Sequence, residues 1–283
     1  MRWYGDNSEL SGIWRAEMPD ILLFGGIAIS DSEGEKLHQR IAKIKEAYTK
    51  FGAFPIKWNF KDVKSWFDKH KHPEAFEPIQ RDSKKWRIAI VDAAADINLR
   101  IVISIVKHHS AQKKVIKSTR NAVAHFAFSN ALMRVGLLAA ELRPESWEVV
   151  LDWPDAGDCS PYTEEYRTAL WQGKCHHTPD VPYHCGPLSN LGFRENLLFT
   201  QMEDCPLMQF SDLVIGAVRE FVDFALGKKA ENALGVRITQ RLVSKFRGFP
   251  GRIIGRGISV APTDGLLRKG LLEAMLKLRQ NSS

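Results

Sequence analysis

Three aspartates stand where an apolar pattern breaks, and their side chains have the chemistry of a cation site. Asp6 ends a short aromatic segment, Asp152 ends the apolar segment 148–151, and Asp212 lies within an apolar helical face beside Leu213. An ionised carboxylate next to a core is costly unless it is paired or binds a metal. Carboxylate oxygens are the ligands that Mg²⁺ and Mn²⁺ prefer. The three residues together predict a divalent-cation site.

Each aspartate alone also has a purely structural interpretation. An aspartate at the end of a strand, such as Asp152, is often a turn former or a helix cap. Asp212 is also compatible with a helix cap, although Pro206 indicates that its helix begins earlier. The prediction of a site therefore depends on the three residues meeting in space.

The elements that must position these residues follow from apolar periodicity. The pattern predicts strands over residues 2–6, 21–29, 54–59, 97–106, 148–152 and 196–199. It predicts helices over residues 37–51, 61–70, 119–142, 206–227 and 266–278. The pattern predicts a loop-rich insertion over residues 156–195. An early hairpin followed by helices that alternate with buried strands indicates an α/β fold around a mixed sheet flanked by helices.

Composition narrows the class of protein. A chain of 283 residues with 44% hydrophobic residues can bury a core without a disulfide or a structural metal. Four cysteines are too few for a secreted disulfide scaffold, and the longest apolar run, 21–29, is too short to span a bilayer. We therefore expect a cytoplasmic protein without a membrane partner. Phosphate-binding, dinucleotide-binding, serine-hydrolase and zinc-protease motifs are all missing from the sequence.

Five segments together carry a resemblance to a known family. They are Asp6-Asn7-Ser8, Leu23-Phe24-Gly25-Gly26-Ile27, Ile56-Lys57-Trp58-Asn59, Val149-Val150-Leu151-Asp152 and Asp204-Cys205-Pro206-Leu207-Met208-Gln209-Phe210-Ser211-Asp212-Leu213. They resemble the "Asp-Glu-Ser-Gly" first strand, the Gly-containing second strand, the "Glu-Leu-Lys" segment, the strand-ending aspartate and the "Gln-Leu-Ala-Asp-Leu" element of a ribonuclease H-like family. That family is known as domain of unknown function number three thousand eight hundred.

The resemblance implies a ribonuclease H-like domain over residues 1–227, followed by a basic, partly helical extension over 228–283. It implies a metal-dependent phosphodiesterase that cleaves DNA or RNA. Two Mg²⁺ or Mn²⁺ ions held by Asp6, Asp152 and Asp212 would activate water and stabilise the leaving oxygen. Lys57 would stabilise charge on the phosphate, and the other interpretation of Lys57 is a solvated surface lysine.

Three positions depart from the family pattern. Asn7 stands for the usual glutamate, Glu9 for the usual glycine, and Ser211 for the usual alanine. Glu9 would return a carboxylate to the metal site. Asn7 also motivates an alternative function, a catalytically impaired nucleic-acid-binding or scaffold subunit of a larger complex.

The C-terminal segment favours an anionic partner. The chain has a net charge of +7, and no acidic residue lies between Asn232 and Thr263. The cations of this stretch are predicted to bind phosphates: Arg237, Arg241, Lys245, Arg247, Arg252 and Arg256. A basic surface or an interface with an acidic protein is the alternative. The apolar helix 266–278 then either docks on its own core or contacts a second copy or a partner protein.

Cysteine and histidine residues of the loop-rich insertion admit a zinc interpretation. Cys175-His176 and His184-Cys185 form two adjacent pairs, but they lack the tight cysteine spacing of structural zinc sites. Ordinary loop residues are the favoured interpretation, and a zinc-loop interaction protein is a third hypothesis for the function.

Overall fold

A computed structural model describes residues 1–8, 20–48, 54–108, 117–154, 157–261 and 263–280, with the backbone alone for Asp20, His108 and residues 117–122. The strands of this part of the chain are β1 (Arg2–Asn7), β2 (Asp20–Ile29), β3 (Leu99–His108), β4 (Trp147–Asp152), β5 (Phe193–Thr200) and β6 (Ile258–Ala261). The α-helices are α1 (Asp31–Tyr48), α2 (Phe60–Lys69), α3 (Phe76–Arg81), α4 (Ser83–Asp92), α5 (Lys117–Leu142), α6 (Ser160–Gln172), α7 (Pro206–Ala225), α8 (Leu234–Arg241) and α9 (Gly265–Gln280).

The strands form one mixed sheet in the order β5-β4-β1-β2-β3-β6. Strand β2 runs antiparallel to both neighbours, β1 and β3. The pairs β1–β4, β4–β5 and β3–β6 are parallel. The α/β class and the mixed sheet flanked by helices are therefore confirmed.

Helices cover both faces of the sheet and create two core layers. The layer that contains α7, which we call the α7 layer, buries Leu23, Ile27 and Ile103 of the sheet. The opposite layer contains α5 and α6, and we call it the α5 layer; it buries Leu22 and Val102. Because successive residues of a strand point to opposite faces, a strand covered on both sides is apolar throughout. This explains the uninterrupted apolar run of β2.

Helix α5 contains a long apolar segment with few charged residues. Its segment Val123–Leu142 is long and apolar enough to cross a bilayer, yet 67% of its most apolar window is buried inside the structure. Burial of this kind is expected of a helix that lies in the core of an α/β domain. The position of α5 in the α5 layer therefore accounts for its composition.

Three expectations about the elements need correction. Residues 54–59 form no strand, because their polar groups bond to α4 and α7 rather than to a neighbouring strand. The loop-rich insertion contains α6, which begins with Pro161 in its first turn and ends at Gly173 in a left-handed conformation. Strand β6 belongs to the sheet, so residue 227 is not a boundary of the core.

Helix α9 docks on the core of its own chain, which was one of the two expected arrangements. Its buried residues belong to the α7 layer: Leu267, Leu271, Ala274, Met275 and Leu278. The leucines on its other face, at positions 266, 272 and 276, are exposed. The docked face accounts for most of the apolar periodicity that predicted this helix.

Candidate carboxylate site

Strand pairing brings Asp6 and Asp152 to one place. Strands β1 and β4 are parallel neighbours, and their register pairs Tyr4 with Val150. Both of these residues lie in the α7 layer. Because side chains alternate along a strand, Asp6 and Asp152, each two residues further on, follow on the same face. The two carboxylates therefore leave adjacent strands toward the helix that carries Asp212.

Helix α7 docks on β1 through a direct hydrogen bond. The Ser211 hydroxyl donates to the Tyr4 carbonyl at 3.0 Å. Gly26 of β2 makes this contact possible, since a Cβ atom there would lie 1.9 Å from the Tyr4 carbonyl oxygen and 3.2 Å from Ser211 Oγ. Asp212 follows Ser211 directly, so the third carboxylate is fixed beside β1.

The charges of the three aspartates act on one another. Asp6 is only 7% exposed. Burial raises its pKa well above the usual range, and the negative charges of Asp212 and Asp152 raise it further. The Asn7 amide, which donates to Asp6 Oδ1 at 2.7 Å, and the Lys57 ammonium oppose that shift. All four predicted catalytic residues, Asp6, Asp152, Asp212 and Lys57, therefore contribute to one electrostatic site.

Asp212 is the second carboxyl group of the site whose pKa is raised. Burial is the largest cause that raises its pKa to about 6, and the charge of Asp62 adds to it. The Trp58 amide donates to Asp212 Oδ2 at 2.5 Å, and the charges of Lys57 and Arg87 also favour the ionised form. Raised pKa values from burial and like charges are typical of functional sites.

The donor set suits a hard divalent cation, because it consists of carboxylate oxygens whose mutual repulsion a cation relieves. Within the residues that the structure describes, no three histidine, cysteine, aspartate or glutamate side chains form a group that holds a metal ion. Glu9, the fourth predicted ligand, lies outside the described residues. The inference that a cation could bind here therefore depends on the chemistry and the electrostatics of the three aspartates.

Lys57 is placed by a glutamine of α7. Gln209 Oε1 accepts from the Ile56 amide at 3.0 Å. Its Nε2 donates to the carbonyls of Met202 at 2.9 Å and Glu203 at 3.0 Å. A fully bonded buried amide of this kind fixes the segment that carries Lys57 against α7.

Arg87 of α4 holds the same segment from the other side. Its Nη2 donates to the carbonyls of Lys57 at 2.8 Å and Trp58 at 2.5 Å. Its guanidinium lies 4.9 Å from the Trp58 ring centroid and 4.4 Å from that of Phe60. Burial lowers the pKa of Arg87 to about 10, so the group stays cationic at neutral pH and faces Asp212.

The contacts of Lys57 favour a site residue over a solvated surface lysine. Its side chain is only 23% exposed, and its Nζ lies 3.9 Å from Asp62 Oδ2. The backbone bonds of Gln209 and Arg87 restrict where it can reach. The ammonium therefore lies beside Asp62, and its charge also acts on Asp6 and Asp212.

Sequence reasoning missed Gln209 and Arg87, although each left a signal. Gln209 is a polar residue within the buried face of α7, and it lies inside the Asp204–Leu213 motif. Arg87 lies among the buried residues of α4. A long polar side chain at a buried helical position must have partners, so both residues mark an organised site.

Removing the charge of Asp212 is expected to stabilise the metal-free protein at neutral pH. The pKa of Asp212 is 3.8 in the unfolded chain and about 6 in the folded protein. The folded protein therefore loses stability as the pH rises through this window, because the unfolded chain ionises first. Asp212→Asn keeps an acceptor for the Trp58 amide. We expect its free energy of unfolding to exceed the wild-type value by about 1 to 3 kcal/mol at pH 7.5, and by little at pH 4.

Denaturant unfolding in EDTA at the two pH values measures this difference. Asp68→Asn, which changes an exposed aspartate of α2, is the matched control. A stabilisation of Asp212→Asn that does not depend on pH would contradict the assignment.

Two of the six predicted phosphate-binding cations are buried, and four are exposed. Lys245 is buried and its Nζ donates to the Ile97 carbonyl at 2.7 Å. Arg247 is buried and donates to both carboxylate oxygens of Glu141, at 3.0 and 2.7 Å. Each of these two buried cations would be costly without a partner, and each has one within the protein. We therefore withdraw Lys245 and Arg247 from the predicted phosphate contacts.

The other four cations of the set, Arg237, Arg241, Arg252 and Arg256, are exposed. Arg241 lies 3.5 Å from a carboxylate oxygen of Asp92. An ion pair this exposed is weak, so it leaves Arg241 able to attract an anion.

Cys175 belongs to a buried hydrogen-bond cluster around Glu165. The Glu165 carboxylate accepts from Ser129 Oγ at 2.6 Å, from Tyr183 Oη at 2.8 Å and from the His176 amide at 2.8 Å. Cys175 Sγ lies 3.6 Å from the same carboxylate. These contacts tie the insertion, including its helix α6, to α5.

Cys175→Ser is expected to leave the metal content of the purified protein unchanged, because a hydroxyl can also donate to the Glu165 carboxylate. Elemental analysis of the variant and the wild type measures zinc directly. Loss of one equivalent of zinc in the variant would establish the zinc interpretation of the insertion.

Comparison with family models, with curated proteins and with solved structures finds no match to this chain.

Proposed function

We propose that this chain is a divalent-metal-dependent phosphodiesterase that cleaves DNA or RNA. The observation that carries the proposal is the electrostatic coupling of three aspartates on three different elements. The pKa of Asp6 responds to the charges of Asp152, Asp212 and Lys57, although more than 50 residues separate each of these from Asp6 in the sequence. Folding brings together groups that repel one another, and such an arrangement is typical of a functional site.

The positions of the motifs support a ribonuclease H-like assignment. The first motif lies on β1, the strand-ending aspartate lies at the end of β4, and the last motif spans the entry into α7. These are the strand-one, strand-end and strand-to-helix positions that the resemblance implies. A shared fold is weak evidence for function, so the carboxylates carry the argument.

The residues that would hold a metal are Asp6, Asp152 and Asp212, with Glu9 as a further donor. When bound, Mg²⁺ or Mn²⁺ supplies positive charge that activates a water molecule and stabilises the leaving oxygen of a phosphodiester. The protein's own part is to hold three mutually repelling carboxylates together, with Asp6 buried and Asp152 and Asp212 partly exposed. The Trp58 amide and the Ser211–Tyr4 hydrogen bond fix the Asp212 carboxylate in that arrangement.

Lys57 supplies a second stabilising charge. Its ammonium lowers the pKa of both Asp6 and Asp212, so it lies within electrostatic reach of the site. A cation held there would stabilise the negative charge that develops on the phosphate oxygens during hydrolysis. Gln209 and Arg87 act as positioning residues, since their hydrogen bonds within the described residues go to the backbone of the Lys57 segment and, for Gln209, also to that of Met202 and Glu203.

A nucleic acid must reach this acidic site against electrostatic repulsion. The net charge of +7, with Arg237 and Arg241 exposed on α8, attracts a polyanion without reading its sequence. We therefore expect binding that weakens steeply as salt concentration rises.

The second candidate function, a catalytically impaired binding or scaffold subunit, rests on Asn7. This residue replaces a glutamate of the family motif directly beside Asp6, so one negative charge is missing from the predicted metal site. Salt-sensitive nucleic-acid binding without cleavage would favour this candidate.

Cleavage of short labelled oligonucleotides tests the proposal. Single-stranded and duplex DNA and RNA are incubated with the full chain in Mn²⁺, in Mg²⁺ and in EDTA. We expect cleavage with metal and none in EDTA. Lys57→Met should lower the cleavage rate by about 100-fold, whereas Lys43→Met, which removes an exposed lysine of α1, should leave it unchanged. Equal rates in EDTA, or equal rates for the two variants, would contradict the mechanism.

A further inference from the structure

A second candidate site lies at the end of α5, and none of its lining residues belongs to the carboxylate site. A cavity of about 570 Å³ opens between the end of α5 and the segment 244–256. Leu138, which lines it, belongs to the α5 layer, whereas Asp212 lies on the helix of the α7 layer. The polar and aromatic residues of its wall are Arg100, Glu141, Arg247, Phe249, Arg252 and Arg256. The cavity is therefore separate from the carboxylate site.

Positive charge in this cavity exceeds what its own wall neutralises. Four arginines face one carboxylate, and both oxygens of that carboxylate, Glu141, accept from Arg247. Within the described part of the chain, the side chains of Arg252 and Arg256 make no hydrogen bond or ion pair. Arg100 donates one of its N–H groups to the carbonyl of Leu99 at 2.9 Å. Most of the guanidinium donors of the cavity are therefore available to an anion.

Cations near the cavity repel one another. Burial and the charge of Arg247 lower the pKa of Arg134 on α5. Burial and the charge of Arg100 lower the pKa of Lys245. A bound anion would relieve this repulsion, and guanidinium groups form charge-assisted, often bidentate, hydrogen bonds with phosphate.

The mouth of the cavity also offers an aromatic face. The Phe249 side chain is 42% exposed, although it is large and apolar. The Arg279 guanidinium lies 5.8 Å from its ring centroid. Nucleic-acid bases stack on exposed aromatic rings that lie beside arginines. The volume of the cavity falls within the usual range for small-molecule sites.

We propose that this cavity binds a nucleotide, with phosphates on Arg100, Arg252 and Arg256 and the base on Phe249. The proposal does not depend on the phosphodiesterase activity, because the cavity and the carboxylate site share no residue. The volume of the cavity, about 570 Å³, suits a small phosphorylated ligand, and binding of a nucleic-acid strand is the other outcome that the test distinguishes.

Calorimetric titration of the full chain with ATP tests the proposal. EDTA is present throughout, so that no metal can hold phosphate at the carboxylate site. Tripolyphosphate and a ten-nucleotide single strand are titrated in parallel, because they offer the phosphates without the base and the phosphates of a polymer. We expect ATP to bind at one site per chain and more tightly than tripolyphosphate.

Two double variants of equal charge locate the site. Arg252→Gln with Arg256→Gln should weaken ATP binding at least about tenfold, because charge-assisted bonds are lost. Lys43→Gln with Lys84→Gln removes the same charge from exposed positions elsewhere and should change ATP binding little. Phe249→Leu should weaken ATP about tenfold and leave tripolyphosphate unchanged.

Three results would overturn the proposal. The first is an absence of ATP binding. The second is equal weakening in the two double variants, which would indicate non-specific attraction. The third is a loss of single-strand binding, without loss of ATP binding, in the Arg252 and Arg256 variant. Since no cleavage is measured, failure here leaves the phosphodiesterase proposal intact, and failure of cleavage leaves this proposal intact.

Discussion

Asp6→Asn is expected to reduce metal-dependent cleavage by at least about 100-fold. Asp6 is the residue on which the charges of Asp152, Asp212 and Lys57 all act. Removal of its charge weakens cation binding, while the amide still accepts through its carbonyl oxygen. Cleavage of the best oligonucleotide substrate, measured for both proteins at the lowest Mn²⁺ concentration that saturates the wild type, gives the rate ratio directly.

The same variant is expected to keep its fold and to gain stability. Burial and two like charges disfavour the ionised form of Asp6, so the neutral amide removes a destabilising group at neutral pH. Thermal unfolding in EDTA checks this, with Asp68→Asn as the exposed control. A variant that is well folded and still cleaves at the wild-type rate would remove Asp6 from the mechanism.

Gly26→Ala is expected to cost more than about 3 kcal/mol of unfolding free energy. Gly26 has a φ of 154°, which side-chain-bearing residues rarely adopt, and its added Cβ would lie 1.9 Å from the Tyr4 carbonyl oxygen. That oxygen is backbone within the sheet, so it cannot move aside as a flexible side chain would. The displacement would also break the Ser211–Tyr4 hydrogen bond, and with it the docking of α7.

Denaturant unfolding measures the loss, and Gly265→Ala is the matched control. A Cβ at Gly265 meets nothing within 4 Å, so that substitution should be close to neutral. A loss below about 1 kcal/mol for Gly26→Ala would show that β1 and β2 tolerate a wider spacing than the structure describes. The close approach at Gly26 would then not be what allows α7 to dock on β1.

Local sequence was sufficient for the elements that carry the three aspartates. Strand β2, which pairs with the strand that carries Asp6, is apolar from Ile21 to Ile29 because helices cover both faces, so its pattern was visible without knowledge of its partners. Pro206 and the apolar face of α7 defined that helix, and Asp212 stood out within it. Polarity within an apolar pattern thus marked the three aspartates before any contact was known, and their role in binding a cation stays a prediction.

Contacts between distant segments were not predictable from local patterns. The segment that carries Lys57 has the alternation of a strand, but Gln209 and Arg87, which hold it, lie 153 and 29 or 30 positions away from their backbone partners. The burial of Arg247 depends on Glu141, 106 positions earlier. A cation with a distant partner cannot be told from a free one by composition alone.

Manganese binding is the most direct test of the central claim that the three aspartates form a divalent-cation site. Calorimetric titration of the wild type with Mn²⁺ at pH 7.5 lies above the pKa of about 6 for Asp212, so that carboxylate is ionised. We expect binding in the wild type, weakened at least about tenfold in Asp6→Asn, Asp152→Asn and Asp212→Asn and unchanged in Asp68→Asn. Equal Mn²⁺ affinity in the wild type and in all three site variants would contradict the account.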